Sequence, residues 1–322
     1  MRIFIAESLG NQTEIELVSG KVGLFQEAIN EKLFREVKTL EQCDAILVPH
    51  DAFHFNQYTD YLRYLNQLSE KKPVIFSDRG DFPKKPKINK SIALRVAINP
   101  GESKKNKIVV PYNVESLSNL PFRKYSSEPV VSFMGYMPHL SPRRIIQAAR
   151  QSPTHPIQGN GAIIRWLSHK VLLRSDLDYR FVLRNSYGAI DSQTVHDNRA
   201  SFLELLSESD YVSAPRGDAN QSARFYETLS AGRIPLIRNS SIQNISSLDA
   251  GPENRLPGLI VPTLMPNLHT KITGNWLQIG DSNSYYKHQL ELRELYKSEL
   301  SFIPFMRRMF LMDYPERLLC AR

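Results

Sequence analysis

Cysteine is almost absent from this chain of 322 residues, which has two, Cys43 and Cys320. Two thiols so far apart build neither a disulfide framework nor a cysteine metal site, and they suit a reducing compartment. Long apolar runs are missing too. Nowhere do eighteen apolar residues follow one another, and the opening Met1-Arg-Ile-Phe-Ile-Ala-Glu7 turns polar too early for a secretory leader. The expectation is a cytoplasmic protein. No P-loop, H-E-x-x-H or G-x-S-x-G pattern occurs, which removes the nucleoside-triphosphate, zinc-protease and serine-hydrolase readings that those motifs carry. There is no basic stripe with interleaved aromatics, so no nucleic-acid partner is expected.

What is present is ordinary globular composition, with 41% hydrophobic, 10% aromatic and 23% charged residues, which argues against disorder. The length suits two domains. Lys and Arg exceed Asp and Glu by 41 − 33 = 8, which predicts attraction to an anion, for which a nucleotide, nucleic acid and an acidic lipid all qualify on charge alone.

The first half alternates short apolar runs with helical patterns. Arg2 to Ala6, Ala45 to Val48 and Val74 to Phe76 read as buried strands. Val22, Phe25, Ile29, Leu33 and Val37, and then Tyr61, Leu62, Leu65 and Leu68, recur at helical spacing. Strand and helix in units of about thirty residues predict a parallel sheet with crossover helices. Pro111 to Pro129 loses this rhythm and reads as a linker. A second rhythm then begins, with strands at Val130 to Met134, Tyr179 to Leu183, Asp210 to Ala214 and Ile234 to Ile237. Helices are expected around Ile145 and Ala149, Phe202 to Leu206, and Arg224 to Ala231. The predicted fold class is therefore α/β, with two consecutive domains and a cleft between them, over 1–120 and 121–284. A helical segment over 285–322, broken near Pro304, packs on the body. A second reading of Phe305, Met306, Arg307, Arg308, Met309 and Phe310 is a peripheral membrane contact at the inner face of the membrane.

The most informative stretch runs from Ser209 to Ile237. A strand ends at Pro215, a polar turn holds Arg216 and Gly217, and a helix starts near Ser222. Open α/β sheets bind ligands at this edge, where the free N–H groups of a helix start receive phosphate. Arg216 or Arg224 can neutralise a diphosphate with directed hydrogen bonds, and Glu227, one turn on, can take both hydroxyls of a ribose. The plainer alternative for Ser222, Arg224 and Glu227 is an N-cap followed by a helix-surface ion pair. Arg143 and Arg144, near a second helix start, are further donor-phosphate candidates, with a solvated helix face as their alternative.

Pro215-Arg216-Gly217, Ser222-x-Arg224-Phe225-x-Glu227 and Ala231-Gly232-Arg233-Ile234-Pro235 resemble, block by block, the C-terminal signature of the exostosin-like glycosyltransferases. The resemblance is specific over roughly 201–237, weaker at Phe133-Met134-Gly135 and Val74 to Asp78, and architectural elsewhere. It implies a GT-B fold, in which two Rossmann-like domains face one another across a cleft and the C-terminal one holds a nucleoside-diphosphate sugar, and an inverting glycosyl transfer. Carried over by position, Arg216 and Arg224 contact the diphosphate, Ser222 caps the helix toward it, and Glu227 holds the ribose. A bacterial-type enzyme of surface-polysaccharide synthesis is the favoured analogy, with UDP the expected nucleotide and a glycan or lipid-linked glycan the acceptor. No further cofactor is implied.

Inversion needs a base to take the acceptor proton while positive charge stabilises the departing diphosphate. Candidates at strand ends of the N-terminal domain are Asp78 first, then His50, Asp51 and Asp81; the alternative for Asp78 and Asp81 is a turn-forming role, and for His50 that of an ordinary polar residue packed beside the sheet. Asp176-Leu177-Asp178 spells a metal-binding D-x-D, but it precedes a strand instead of ending one, so no metal ion is expected. The rival functions are a GDP-sugar enzyme such as a fucosyltransferase and a non-catalytic nucleotide- or polyanion-binding module.

Overall fold

The computed structural model describes residues 1–6, 28, 30–52, 58–78, 87–96, 106–137, 141–143, 146, 161–184, 192–216, 221–238, 259–261 and 268–310. Short apolar runs form two parallel sheets. The first contains β1 (Arg2–Ile5), β2 (Arg35–Glu36), β3 (Ala45–Asp51), β4 (Val74–Asp78), β5 (Ser91–Arg95) and β6 (Lys107–Val109), in the order β2-β1-β3-β4-β5-β6. Every pairing is parallel. Ala45 to Val48 and Val74 to Phe76 are buried, as expected of strands covered on both faces. The helix α1 (Thr59–Lys71) places Leu65 and Leu68 against Val48, Val74 and Phe76, with Tyr61 and Leu62 flanking them.

The second sheet contains β7 (Val130–Tyr136), β8 (Asp178–Arg184), β9 (Tyr211–Ser213), β10 (Ile234–Arg238) and β11 (Leu259–Val261), in the order β11-β10-β9-β7-β8, again all parallel. Around it stand α2 (Gly161–Leu173), α3 (Ser192–Ser207), α4 (Ala223–Ser230) and α5 (Leu268–Ile279). The chain between β6 and β7 is extended and tied to this second unit. The Leu117 N–H donates to Ser230 Oγ (3.1 Å), and Gln289 exchanges two hydrogen bonds with the Arg123 backbone.

The C-terminal segment divides between the two units. Asp281 caps α6 (Ser282–Leu295) by accepting from the Asn283 and Ser284 N–H groups. Tyr285, Leu292, Tyr296 and Leu300 then join the second core. A π turn over Tyr296–Leu300 leads into α7 (Phe302–Arg308), whose Phe302, Phe305 and Met306, with Met309 and Phe310 beyond, lie in the first core beside Ile3, Leu47 and Leu94. The crossing is complete between Leu300 and Phe302. Pro304 does not break the helix, because it sits in the first turn, where the missing N–H has no intrahelical partner. Phe305, Met306, Met309 and Phe310 are buried, which removes the membrane-surface reading: they are packing residues, each contributing about 1.5–3 kcal/mol by burial.

One expected helix ends early. Lys32 takes a left-handed φ of 52°, the Leu33 N–H closes on the Ala28 carbonyl, and Arg35–Glu36 then pairs with β1, so Val37 lies beyond any helix. The helix expected around Ile145 and Ala149 falls on residues mostly outside those described.

Candidate functional site

Strand order fixes where a ligand can enter. From β7 the chain steps to β8 on one side and returns to β9 on the other, so β7 and β9 flank a topological switch point whose crevice opens at their C-terminal ends. A cavity of about 350 Å³ lies there. Phe133 to Tyr136 of β7, Arg184 of β8, Pro215 after β9, Gln221 to Arg224 and Glu227 of α4, Arg165 of α2, and Tyr112 line it.

The helix that opens onto the cavity is locally determined. Ser222 is extended (φ −135°, ψ 136°), and its side chain accepts from the Arg224 N–H at 3.3 Å. Phe225, Tyr226 and Leu229 bury the inner face. Gly232, at φ +72°, ends the helix in a Schellman turn: its N–H donates to the Leu229 carbonyl and the Arg233 N–H to the Thr228 carbonyl, both at 2.9 Å. Tyr226 Oη donates to Gln221 Oε1, and Gln221 Nε2 donates to the Val110 carbonyl at 3.3 Å, which fixes the helix start against the chain leaving β6. The Ala231-to-Pro235 block therefore has a structural role. Arg233 is buried, bridges Gln289 and the carbonyls of Leu206, Ala231 and Pro121, and has its pKa pushed down to about 10, chiefly by burial.

Three guanidiniums, those of Arg165, Arg184 and Arg224, share the cavity wall with one carboxylate, Glu227. The Arg184 pKa is lowered, first by burial and then by the charge of Arg224, a second cation on the same wall. Arg184 Nε has no hydrogen-bond partner among the described residues. Glu227 is gripped on both oxygens: Oε2 accepts from Arg224 Nη1 at 2.6 Å and Oε1 from Arg199 Nη1 at 2.5 Å. Arg199, on α3, reaches onward to Glu115 Oε2 at 2.9 Å. The Arg224 and Arg199 guanidiniums lie 3.8 and 5.5 Å from the ring centre of buried Phe202, which orients both.

Of the residues singled out in the sequence, Ser222, Arg224 and Glu227 come together on this wall. The N-cap and ion pair offered as their plainer alternative are both present, but they face the cavity. Arg216 differs from expectation. It is 1% exposed and is not among the residues that line the cavity, where its neighbour Pro215 stands. Arg143 is exposed and also off the wall. Gly217, Arg144 and Asp81 lie outside the described residues, as do the side chains of His50 and Asp51, whose backbone ends β3. Asp78 does end β4, but it is 4% exposed and its Oδ2 lies 3.2 Å from Arg95 Nε, with Arg95 1% exposed. In this geometry the carboxylate read first as the base is enclosed against Arg95 and does not line the strand-end cavity. Asp178 pairs with Arg180 at the start of β8, the opposite end of that strand from the cavity.

Sequence reasoning missed Arg165, Arg184 and Arg199. Arg184 carried a signal, since it immediately follows the strand read at Tyr179 to Leu183, at the edge where ligands bind. Arg199 precedes Phe202 by three residues and so shares its helix face. Arg165 lies on a helix that had not been recognised.

A larger cavity, about 700 Å³, lies between Asn113 to Ser118 and the α6–α7 crossing. Its Glu115 and Glu294 balance Arg293 and Lys297, and Arg293 is already engaged with the carbonyls of Ser118, Leu120 and Ala231. It lacks the excess charge of the strand-end cavity.

No protein-family model matches the chain, and no curated protein does. Solved structures with a related trace include a glycosyltransferase from Rickettsia africae ESF-5, at 9% identity and a TM-score of 0.44, covering 100% of this chain and 99% of that one. Anabaena HepE in complex with UDP aligns at 10% identity and 0.42, covering 96% and 98%. An alpha-glucosyltransferase in complex with UDP-glucose and DNA containing an abasic site aligns at 10% and 0.42, covering 95% and 96%. Likenesses this distant carry no argument about the chemistry of this chain.

Proposed function

We propose that this protein is a glycosyltransferase of GT-B arrangement that takes its donor, a nucleoside-diphosphate sugar, in the strand-end cavity. The observation that carries the reading is the excess of three guanidiniums over one carboxylate at a switch-point crevice beside a helix N-terminus. That charge suits a diphosphate. Arg184 and Arg224, like charges on one wall, both gain when an anion binds between them. Ribose hydroxyls donate to Glu227. A carboxylate offers about four acceptor positions, and two of those on Glu227 are occupied by Arg224 and Arg199.

The reaction we infer is an inverting transfer without a metal ion, from a UDP-sugar to a glycan or lipid-linked glycan. The arginines stabilise the charge that develops on the departing diphosphate. A base removes the acceptor proton as the hydroxyl oxygen attacks the anomeric carbon and the bond to the diphosphate breaks. With Asp78 buried against Arg95, we assign the base to the end of β3, where His50 and Asp51 stand beside the switch point between β1 and β3. The test is turnover of UDP-sugars, followed as UDP release, with and without EDTA. The expected outcome is release that survives EDTA, falls at least about a hundredfold in Arg224→Met, and falls in His50→Ala or Asp51→Asn while UDP binding is retained. Binding without turnover of any nucleotide sugar would favour a non-catalytic module, and selective turnover of GDP-sugars would replace the UDP assignment.

A further inference from the structure

Arg199 stands outside the strand-end cavity, yet its side chain spans the space between α3, α4 and the chain joining the two sheets. One arm holds Glu227 Oε1 at 2.5 Å and the other holds Glu115 Oε2 at 2.9 Å. Its own position is fixed from below by Phe202, which is buried with Leu117, Leu206 and Ala231. Arg224 holds the second Glu227 oxygen, and it lines the cavity together with Arg184. An anion between Arg184 and Arg224 draws the Arg224 guanidinium toward itself. Glu227 would then follow, or swing free, unless a second cation held it.

We infer that Arg199 is a positioning residue that keeps the Glu227 carboxylate aimed at the donor's ribose, and that Glu115 keeps Arg199 in place. The inference rests on the donor reading above and adds to it the source of ribose selectivity. A planar guanidinium with two separated N–H edges bridges two carboxylates in one fixed geometry, which a lysine ammonium cannot do. Arg199 faces the carboxylate and not the diphosphate. Its loss is therefore felt most by a ligand that presents both ribose hydroxyls and less by one that lacks the 2′-hydroxyl.

The test is calorimetric titration of the full chain with UDP and with 2′-deoxy-UDP. In the wild type, UDP binds tighter by about tenfold or more, the worth of one hydroxyl-to-carboxylate hydrogen bond. Arg199→Ala lowers that ratio toward one by weakening UDP more than 2′-deoxy-UDP. Glu115→Gln moves the ratio in the same direction by less. A residue with only a structural role weakens both nucleotides alike, and an unchanged ratio in Arg199→Ala overturns the inference. If Arg199→Ala does not fold, Arg199→Lys decides instead, with a lowered ratio supporting the inference and the wild-type ratio refuting it. A wild type that binds both nucleotides equally refutes the ribose role of Glu227 and this inference with it, while a wild type that binds neither refutes the donor site itself.

Discussion

Replacing Arg184 by Met separates ligand recognition from folding in one substitution. Arg184 ends β8 in register with Tyr136, on the cavity wall, with a guanidinium whose pKa is lowered first by burial and then by Arg224. Its Nε has no partner among the described residues. In the empty protein the charge is therefore a cost, and Arg184→Met, which keeps most of the apolar stem, leaves the melting temperature unchanged or raises it. With UDP present the same change removes a charge-assisted hydrogen bond worth about 1.5–3 kcal/mol. The dissociation constant then rises about 10- to 150-fold. Calorimetry with UDP and thermal unfolding without it give the two numbers. Undiminished UDP affinity would refute the reasoning, and so would a loss of ligand-free stability as large as the loss of affinity.

Gly232→Ala places a Cβ 2.9 Å from the Gln289 carbonyl oxygen and 3.0 Å from Arg293 Nε, at φ +72°. The left-handed conformation costs about 1–2 kcal/mol and the overpacking about 1–3, so urea unfolding should show a loss of about 2–5 kcal/mol; a loss under 0.5 would contradict the close approach of α6. Met306→Ala should cost about 2–5 kcal/mol, because Met306 is fully buried in the first core, and a neutral outcome would mean that α7 is not docked there. His169, bonded to Tyr179 Oη at 3.0 Å, and His288 both have pKa values lowered chiefly by burial. The unfolded chain then binds protons that the folded one refuses, so stability present above about pH 6.5 is lost as the pH falls through the folded pKa values. The drop in melting temperature between about pH 7.5 and 5.5 should shrink in His169→Gln, and an equal drop would remove His169 from that account.

Short apolar runs bounded by turns made β3, β4, β7, β9 and β10 legible, because a strand buried on both faces has little freedom in composition. The same logic located α4, whose start and end are chemically explicit in Ser222 and Gly232. Periodicity was blind to the end of the first helical pattern, since the left-handed Lys32 that stops it is not a glycine. It also saw that the C-terminal segment buries one face without seeing that Leu300 and Phe302 serve different cores, which depends on contacts distant in sequence. At the site, Arg224 and Glu227 were legible because a helix N-terminus aims them. Arg216 was read beside the cavity because it follows the strand directly, yet it is buried while its neighbour Pro215 lines the wall, a difference that composition does not reveal. The pairing of Asp78 was not legible either, because nothing near it in sequence announces the Arg95 that meets it from the neighbouring strand.

The most direct test of the central claim is thermal unfolding of the wild type with UDP, GDP and CMP and their sugar conjugates, each with and without Mg²⁺. A donor site built from Arg165, Arg184 and Arg224 predicts that UDP and a UDP-sugar raise the melting temperature to the same extent with and without Mg²⁺. No shift with any nucleotide, at concentrations that saturate ordinary donor sites, would contradict it.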